Sequence, residues 1–202
     1  MDYRIYHAVN EFAVDFKWLA HATYFFETVG VVLYGLAVLV LWLATAPGEE
    51  RRWKLAALAG GASAGLSLLI NQVIGNLVWH RPRPYETHPQ VYHLSHSHDP
   101  SFPSDHASAA FGIAFGIYFV DRRVGRFFIV VATLIATGRV LVGAHYLTDV
   151  LASLVVSVIS AYLIVRLGRP LLDRCVRLLE RFSDPVVGPV HKRWRRRSLA
   201  TR

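Results

Sequence analysis

The sequence predicts an all-α protein, a polytopic helix bundle embedded in a membrane, and three observations support this fold class. Hydrophobic residues make up 53% of the 202-residue chain and charged residues 18%, with a mean hydropathy of +0.34. Soluble domains carry about 25% charged residues. The apolar residues are grouped in runs long enough to form membrane-spanning helices. The basic residues are segregated, since 11 of the 22 Lys and Arg lie between positions 166 and 202.

The N-terminal segment predicts a helix that lies at the membrane interface. Tyr3, Tyr6, Val9 and Ala13 recur near the helical period, but acidic and polar residues interrupt the apolar face. The sequence leaves open an additional span at about 18–26, which would raise the total from five transmembrane helices to six.

Five later segments have the length and apolar content of spanning helices. They cover residues 28–46, 55–79, 104–120, 127–142 and 147–167. The third and fourth contain 17 and 16 residues, which gives each a length of roughly 25 Å. That length is marginal for a bilayer unless the helix ends are buried in protein.

Basic residues flank these spans asymmetrically, and the asymmetry predicts the orientation. With five spans, 17 of the 22 Lys and Arg fall in the linkers at 51–54 and 122–126 or in the tail from 166 onward. Such segments stay cytoplasmic. We therefore expect a multi-pass plasma-membrane protein with a cytoplasmic C-terminus and an outward-facing active site. One membrane-embedded domain is expected over 1–170 and a basic tail over 171–202, whose charge suits anionic lipid headgroups better than nucleic acid.

A histidine and a carboxylate stand four residues apart at the outer end of the fifth span. His145 and Asp149 would share one face of a helix, so the carboxylate could orient the imidazole. The other ring nitrogen would then be free to act as a nucleophile. Taken alone, the pair equally fits a structural hydrogen bond at the membrane edge.

The start of the third span carries groups that suit an anion. Ser104 is expected to cap the helix, and the free N–H groups of its first turn, including that of Asp105, can bind a phosphate. His106 in the same turn could give a proton to a leaving oxygen. Ordinary helix capping is the alternative interpretation.

Two arginines lie in the proline-stiffened stretch before this region, and arginine suits bidentate contact with phosphate oxygens. Alternate residues of an extended segment point the same way. We therefore expect Arg83 to hold the reacting phosphate and Arg81 a second, linked phosphate, although lipid headgroups could also bind both. Together with the two histidines, these groups predict phosphoryl transfer through a phosphohistidine.

The three clusters resemble the motifs of the type 2 phosphatidic acid phosphatase superfamily, which read K-x6-R-P, P-S-G-H and S-R-x5-H-x3-D. Here they appear as Asn76-x6-Arg83-Pro84, Pro103-Ser-Asp-His106 and Gly138-Arg139-x5-His145-x3-Asp149. The resemblance implies that His145 is the nucleophile, Asp149 its orienting partner and His106 the general acid. It also implies a group of phosphate-binding residues, namely Arg83, Arg139, Ser104 and the backbone at Asp105.

Three positions depart from the motifs. Asn76 replaces a lysine and loses a positive charge, Asp105 replaces a glycine and adds a negative one, and Gly138 replaces a serine and removes a donor. Asn76 keeps a hydrogen-bond donor for the phosphate, and Arg81 is expected to compensate for the lost charge. Since the catalytic residues remain, we interpret the chain as a variant enzyme.

No metal or other cofactor is expected. The resemblance implies a metal-independent reaction, in which arginines balance the phosphate charge. His93, His96 and His98 are spaced closely enough for a zinc site, but the loop lacks cysteine and offers few carboxylates. Glu27 is a costly carboxylate at the outer edge of the first span, and no spacing ties it to the site.

The chain length, the Arg-Pro-Arg-Pro sequence and the five-span plan resemble the bacitracin-resistance type of undecaprenyl-diphosphate phosphatase. This resemblance implies release of phosphate from a lipid diphosphate, with recycling of the cell-wall carrier lipid. A phosphatidate or phosphatidylglycerophosphate phosphatase is an alternative. A non-catalytic lipid-binding or transport protein is another, if the departures abolish the chemistry. The spans exclude a soluble vanadium haloperoxidase, and the oligomeric state stays open.

Overall fold

The structure, a computed structural model, describes residues 2–45, 51–94 and 96–200, apart from the side chains of Glu27 and of 190–200. Within this part of the chain the protein is all-helical and contains no strand, which confirms the predicted fold class. The helices are α1 (Asp2–Asp15), α2 (Lys17–Leu43), α3 (Arg52–Val73), α4 (Pro84–Thr87), α5 (Asp105–Val120), α6 (Arg122–Leu141), α7 (Leu147–Tyr162) and α8 (Arg169–Ala200). Single π-helical turns, Ile74–Val78 and Leu163–Leu167, extend α3 and α7.

Among the residues that the structure describes, four helices are long and apolar enough to cross a membrane, namely Lys17–Leu43, Arg52–Val78, Arg122–Leu141 and Leu147–Leu167. The remaining predicted span is α5, which has 16 residues and a length of about 24 Å. Helices α3, α6 and α7 pack around it, so protein covers much of the short helix. The first span begins at Lys17 and not at residue 28, so the segment at 18–26 forms the start of α2 and not a sixth span.

Small residues allow α5 to lie directly against α3. A Cβ atom built on Gly112 would be 2.7 Å from the Cα of Ala64, and one on Gly116 would be 2.6 Å from the carbonyl oxygen of Ala59. Spacing of small residues by four is a common basis for close helix contact in membranes. The contact fixes the position of α5, whose first turn carries His106.

Buried serines join α7 to α5. The hydroxyl of Ser153 donates to the carbonyl of Ser104 at 2.9 Å, and the hydroxyl of Ser157 donates to the carbonyl of Ser108 at 2.9 Å. Hydrogen bonds of this kind fix the register of neighbouring helices in a membrane. They hold the first turn of α5 beside the first turn of α7.

Helix α1 packs on the loops that connect the spans on the same side as the first turn of α5. The Tyr6 hydroxyl donates to the carbonyl of Gly143 at 3.3 Å, and Asn10 exchanges hydrogen bonds with the backbone of Tyr92. Gly143 has a φ of 77°, and a Cβ there would be 2.5 Å from the Tyr92 carbonyl oxygen. Glycine therefore permits both the turn after α6 and its close contact with the neighbouring loop.

Helix α8 contains the predicted tail and packs against α3 at the other end of the bundle. Lys54 is buried, and its ammonium group lies 2.6 Å from a carboxylate oxygen of Asp184 and 3.4 Å from one of Glu180. The division into a domain at 1–170 and a tail at 171–202 stays a prediction. The strongly basic run in the tail lies outside the described side chains.

Candidate active site

A cavity of about 300 Å³ opens where α2, α5 and the connecting loops meet. Five residues proposed from the sequence motifs line it, and another five come from α2 and the loop before α5. The lining residues are Arg83, Asp105, His106, Arg139, His145, Tyr24, Thr28, His96, Ser97 and Asp99. The cavity therefore brings together two arginines and the two histidines of the motifs.

His145 lies in the bend between α6 and α7, four residues before Asp149 and outside either helix. Its backbone N–H donates to the carbonyl of Arg139 at 3.3 Å, and its side chain is buried. The turn at Gly143 therefore directs the imidazole inward. The sequence predicted that His145 and Asp149 share one helix. In the structure, α6 ends before His145 and α7 begins after it.

The contacts of the His145 ring determine its tautomer. Nδ1 lies 2.8 Å from the carbonyl oxygen of Ser101, which can only accept, so Nδ1 carries the proton. Nε2 lies 3.3 Å from Nη1 of Arg83, which can only donate, so Nε2 is the unprotonated nitrogen. The structure thus presents Nε2, the unprotonated nitrogen, toward Arg83 in the cavity wall.

Asp149 is fully buried and has no direct hydrogen bond to the His145 ring. Its Oδ2 atom is 3.7 Å from Nδ1 of His145, beyond hydrogen-bond distance. The same oxygen accepts the Ser101 hydroxyl at 2.6 Å and the Tyr146 N–H at 2.9 Å. Ser101 therefore stands between the two predicted partners, a role that no sequence motif indicated.

Arg83 is buried and fixed by several acceptors. Its Nη1 atom donates to the carbonyl of Ala144 at 3.2 Å, and its Nε atom to the carbonyl of Asp99 at 3.0 Å. Nη2 donates to the carboxylate of Asp99 at 3.0 Å. Asp99 therefore occupies an edge of the guanidinium that the sequence interpretation assigned to phosphate. Arg139 also lines the cavity and is buried at the end of α6.

Amide side chains of α3 hold the carboxylate that replaces the motif glycine. Asp105 accepts a hydrogen bond from Asn71 at 2.8 Å and another from Gln72 at 3.2 Å. Asn76 is exposed, bonds to Gln72 at 3.0 and 3.1 Å, and is not among the residues that line the cavity. Asn76 therefore lies outside the cavity wall, whereas the amides of Asn71 and Gln72 contact a residue that lines it, Asp105.

Ser104 is buried at the start of α5, but its side chain does not cap the helix as expected. Its hydroxyl has no hydrogen-bond partner among the described residues, and its backbone N–H donates to the carbonyl of Asp149 at 3.4 Å. An unpaired buried hydroxyl is costly and becomes satisfied when a ligand supplies an acceptor. His106 follows in the same turn and lines the cavity.

Arg81 does not lie beside Arg83 in the cavity, contrary to the sequence expectation. Its backbone N–H donates to the carbonyl of Trp79 at 3.1 Å, so a tight turn comes directly before the stretch from Arg81 to Arg83. The guanidinium contacts Asp149 at 2.5 Å and Asp2 at 2.7 Å and lies 4.0 Å from the ring centre of Tyr146. Arg81 therefore contacts Asp149 and is not among the residues that line the cavity.

Two of the loop histidines singled out in the sequence pack against Tyr85 and against each other, and His96 also lines the cavity. His93 stacks on Tyr85 at 4.7 Å, and His96 packs against His93 at 4.8 Å. Among the described residues, no three His, Cys, Asp or Glu side chains form a group that could hold a metal ion. The side chain of Glu27 lies outside the described part of the chain.

Burial is the largest influence on the pKa of His145. It lowers the pKa of His145 to about 4, Arg139 and Arg83 act in the same direction, and Asp149 opposes them. A usual histidine has a pKa of about 6.5. His145 is therefore neutral at neutral pH, which is the state that a nitrogen nucleophile requires.

Ring ¹⁵N spectra of the histidine-labelled protein should show His145 as a neutral Nδ1–H tautomer from pH 7 down to pH 5. This follows from the carbonyl at Nδ1, the guanidinium at Nε2 and the lowered pKa. The signal is assigned by its absence in His145→Gln. Titration near pH 6.5, or an Nε2–H tautomer, would contradict the assignment.

Comparison with known proteins identifies the family. A family model described as the PAP2 superfamily matches residues 54–171. The chain belongs to the PAP2 superfamily. This confirms the resemblance read from the motifs, and it supports a membrane lipid phosphatase.

Curated relatives of this PAP2 protein match over most of its length. Undecaprenyl-diphosphatase BcrC of Bacillus subtilis (strain 168) is 33% identical over 183 residues, which are 89% of this chain and 92% of that protein. Bacitracin transport permease protein BcrC of Bacillus licheniformis is 28% identical, over 91% of this chain and 90% of that protein. The putative undecaprenyl-diphosphatase YbjG of Escherichia coli (strain K12) is 27% identical over 77% of each.

Two crystal structures share the PAP2 fold. One is a transmembrane PAP2-type phosphatidylglycerolphosphate phosphatase from Bacillus subtilis, with a TM-score of 0.58, 22% identity, and coverage of 83% of this chain and 86% of that one. The other is LpxE of Aquifex aeolicus, with a TM-score of 0.52, 21% identity, and coverage of 82% and 94%. These likenesses establish the common architecture.

Proposed function

We propose that this PAP2 protein hydrolyses undecaprenyl diphosphate to undecaprenyl phosphate and phosphate, and thereby recycles the cell-wall carrier lipid. The observation that carries the proposal is the neutral His145, whose unprotonated Nε2 faces Arg83 at the cavity. The choice of a lipid diphosphate rests on the similarity to BcrC of Bacillus subtilis. Arg81 gives no support for a lipid diphosphate, because its guanidinium contacts the carboxylates of Asp2 and Asp149.

In the proposed reaction, Nε2 of His145 attacks the terminal phosphorus and the bond from phosphorus to the bridging oxygen breaks. The bridging oxygen leaves on the lipid phosphate and receives a proton from His106. The phosphorylated ring is cationic, keeps its Nδ1 proton, and is stabilised by the Ser101 carbonyl and the nearby Asp149 carboxylate. Arg83 and Arg139 bind the phosphoryl oxygens.

Water completes the cycle by attacking the phosphorus of the phosphohistidine. His106, which has lost its proton, accepts one from this water, the P–N bond breaks, and its electron pair returns to Nε2 of His145. Phosphate leaves and both histidines regain their starting protonation. The hydroxyl of Ser104 gains an acceptor when a phosphoryl oxygen occupies the site.

We further propose that the site faces outward, away from the cytoplasm. The basic linkers at 51–54 and 122–126 lie at the opposite ends of α3 and α5 from the cavity. Lys and Arg in short linkers favour the cytoplasmic side. A lipid diphosphate in the outer leaflet could then place its headgroup in the cavity while its prenyl chain stays in the bilayer.

The purified protein in detergent should release phosphate from undecaprenyl diphosphate with a kcat/KM about tenfold or more above that for phosphatidate or phosphatidylglycerophosphate. The His145→Ala protein, checked for intact folding, serves as the control for contaminating phosphatase. Faster turnover of the glycerolipids would reassign the substrate. Folded wild-type protein that binds these lipids and releases no phosphate would favour a non-catalytic lipid-binding protein.

A further inference from the structure

We infer that Arg81 is a positioning residue for Asp149. Asp2 on α1 holds the other end of the Arg81 guanidinium, so the N-terminal helix supports the catalytic residues. This inference rests on the proposed function for its catalytic meaning. Its structural basis is one guanidinium held between two carboxylates, one at the start of α1 and one in the first turn of α7.

The terminal nitrogens of Arg81 are both engaged. Nη1 donates to Asp149 at 2.5 Å and to Thr148 at 2.7 Å, and Nη2 donates to Asp2 at 2.7 Å. The ring of Tyr146 covers one side of the guanidinium at 4.0 Å from its centre, a favourable cation–π distance. With these partners, Arg81 is placed to hold protein carboxylates and not the lipid phosphate.

Asp149 depends on this cation because it is a fully buried carboxylate. Its other donors are the Ser101 hydroxyl and the Tyr146 N–H, both neutral. A buried carboxylate that loses its counter-charge is destabilised and either moves toward solvent or changes its hydrogen bonds. Either change would disturb Ser101, whose carbonyl holds Nδ1 of His145, and would shift negative charge relative to the cationic phosphohistidine.

Asp2 ties α1 to the same network. Its carboxylate accepts the hydroxyl of Thr148 and, at 3.4 Å, the backbone N–H of Thr148 in the first turn of α7. An acidic group satisfies such a free N–H and interacts favourably with the helix dipole. Burial opposes ionisation of Asp2, but the hydrogen bonds from Thr148 and Arg81 outweigh it and lower its pKa. Asp2 is therefore an ionised partner for Arg81.

Two further contacts secure α1 around the His145 turn. The Tyr6 hydroxyl bonds to the carbonyl of Gly143, two residues before His145, and the Tyr6 ring lies 5.5 Å from that of Tyr146, one residue after it. Together with Asp2, these contacts place α1 against both sides of the turn that presents the nucleophile. A role for α1 in catalysis follows without any contact between α1 and the substrate.

The test compares Arg81→Gln and Asp2→Asn with Asp15→Asn, which removes the same charge as Asp2→Asn from an exposed position of the same helix. Arg81→Gln should lower kcat about 10- to 100-fold, the usual range for a misplaced catalytic group, and Asp2→Asn about tenfold. KM should change less than about twofold, since the substrate contacts remain. Asp15→Asn should match the wild type.

The losses in Arg81→Gln should be equal for undecaprenyl diphosphate and undecaprenyl monophosphate. In an Asp149→Asn background, Arg81→Gln should add little further loss, because residues that act as one unit are not additive. A rise in KM confined to the diphosphate would make Arg81 a substrate ligand and overturn the inference. So would full additivity with Asp149→Asn.

A measurement without turnover separates this inference from the proposed function. The ring ¹⁵N signals of His145 should shift in Arg81→Gln and Asp2→Asn and stay unchanged in Asp15→Asn. If the wild type releases no phosphate from the lipid diphosphate, the proposed function fails, while these shifts still report the coupling. Unchanged His145 signals in both Arg81→Gln and Asp2→Asn would overturn the coupling itself.

Discussion

Replacing His145 with alanine is expected to lower kcat on the lipid diphosphate by about four orders of magnitude or more, because a covalent mechanism has no route around its nucleophile. In the structure, Nε2 of this residue is the unprotonated nitrogen beside Arg83 at the cavity. The measurement is release of phosphate from substrate labelled in its terminal phosphate, together with recovery of acid-labile labelled protein after rapid quenching.

His98→Ala is a matched control for this variant, since His98 is an exposed histidine in the loop before α5 and does not line the cavity. It should keep wild-type turnover and wild-type labelling. Recovery of the label on a side chain other than His145 would refute the assignment of the nucleophile, as would near-normal turnover in the folded alanine variant.

Replacing His106 with alanine is expected to have an effect that grows with the pKa of the leaving group. General acid catalysis contributes about 10²- to 10⁴-fold when the leaving oxygen needs a proton. The loss should be greatest for a lipid monophosphate, which releases an alcohol, smaller for the lipid diphosphate and least for an activated aryl phosphate. Comparing kcat across the three substrates checks this, and the aryl phosphate serves as an internal control for folding.

Equal losses on all three substrates would contradict proton donation by His106. They would indicate that the imidazole, which lines the cavity in the first turn of α5, serves to bind the phosphoryl group. The substrate series therefore separates proton transfer from binding for the same variant.

The longer spans could be predicted from the sequence because their apolar runs have the length of a bilayer span. The start of α2 at Lys17 could not, since the aromatic and polar residues at 18–26 fit an interfacial helix equally well. Whether such a segment continues the next helix depends on packing. Length alone also could not decide whether the short α5 spans the membrane, because that depends on how its neighbouring helices surround it.

The motifs placed Arg83, His106, Arg139 and His145 around one cavity, as their spacing predicted. They could not reveal Ser101, because its contact with Nδ1 uses a backbone carbonyl, which every residue possesses. Alternation along an extended segment could not indicate the position of Arg81, because the carboxylates of Asp2 and Asp149, which are distant in the chain, bind its guanidinium.

The contacts between α1 and α7 also impose an order on assembly. Asp2 and Thr148 are 146 positions apart in the chain, and a protein is synthesised from its N-terminal end. Asp2 can therefore contact Thr148 only after α2, α3, α5 and α6 have been synthesised and inserted and α7 has followed them. The hydrogen-bond network around Asp149 can therefore form only after α7 has been inserted, and no shorter nascent chain contains it.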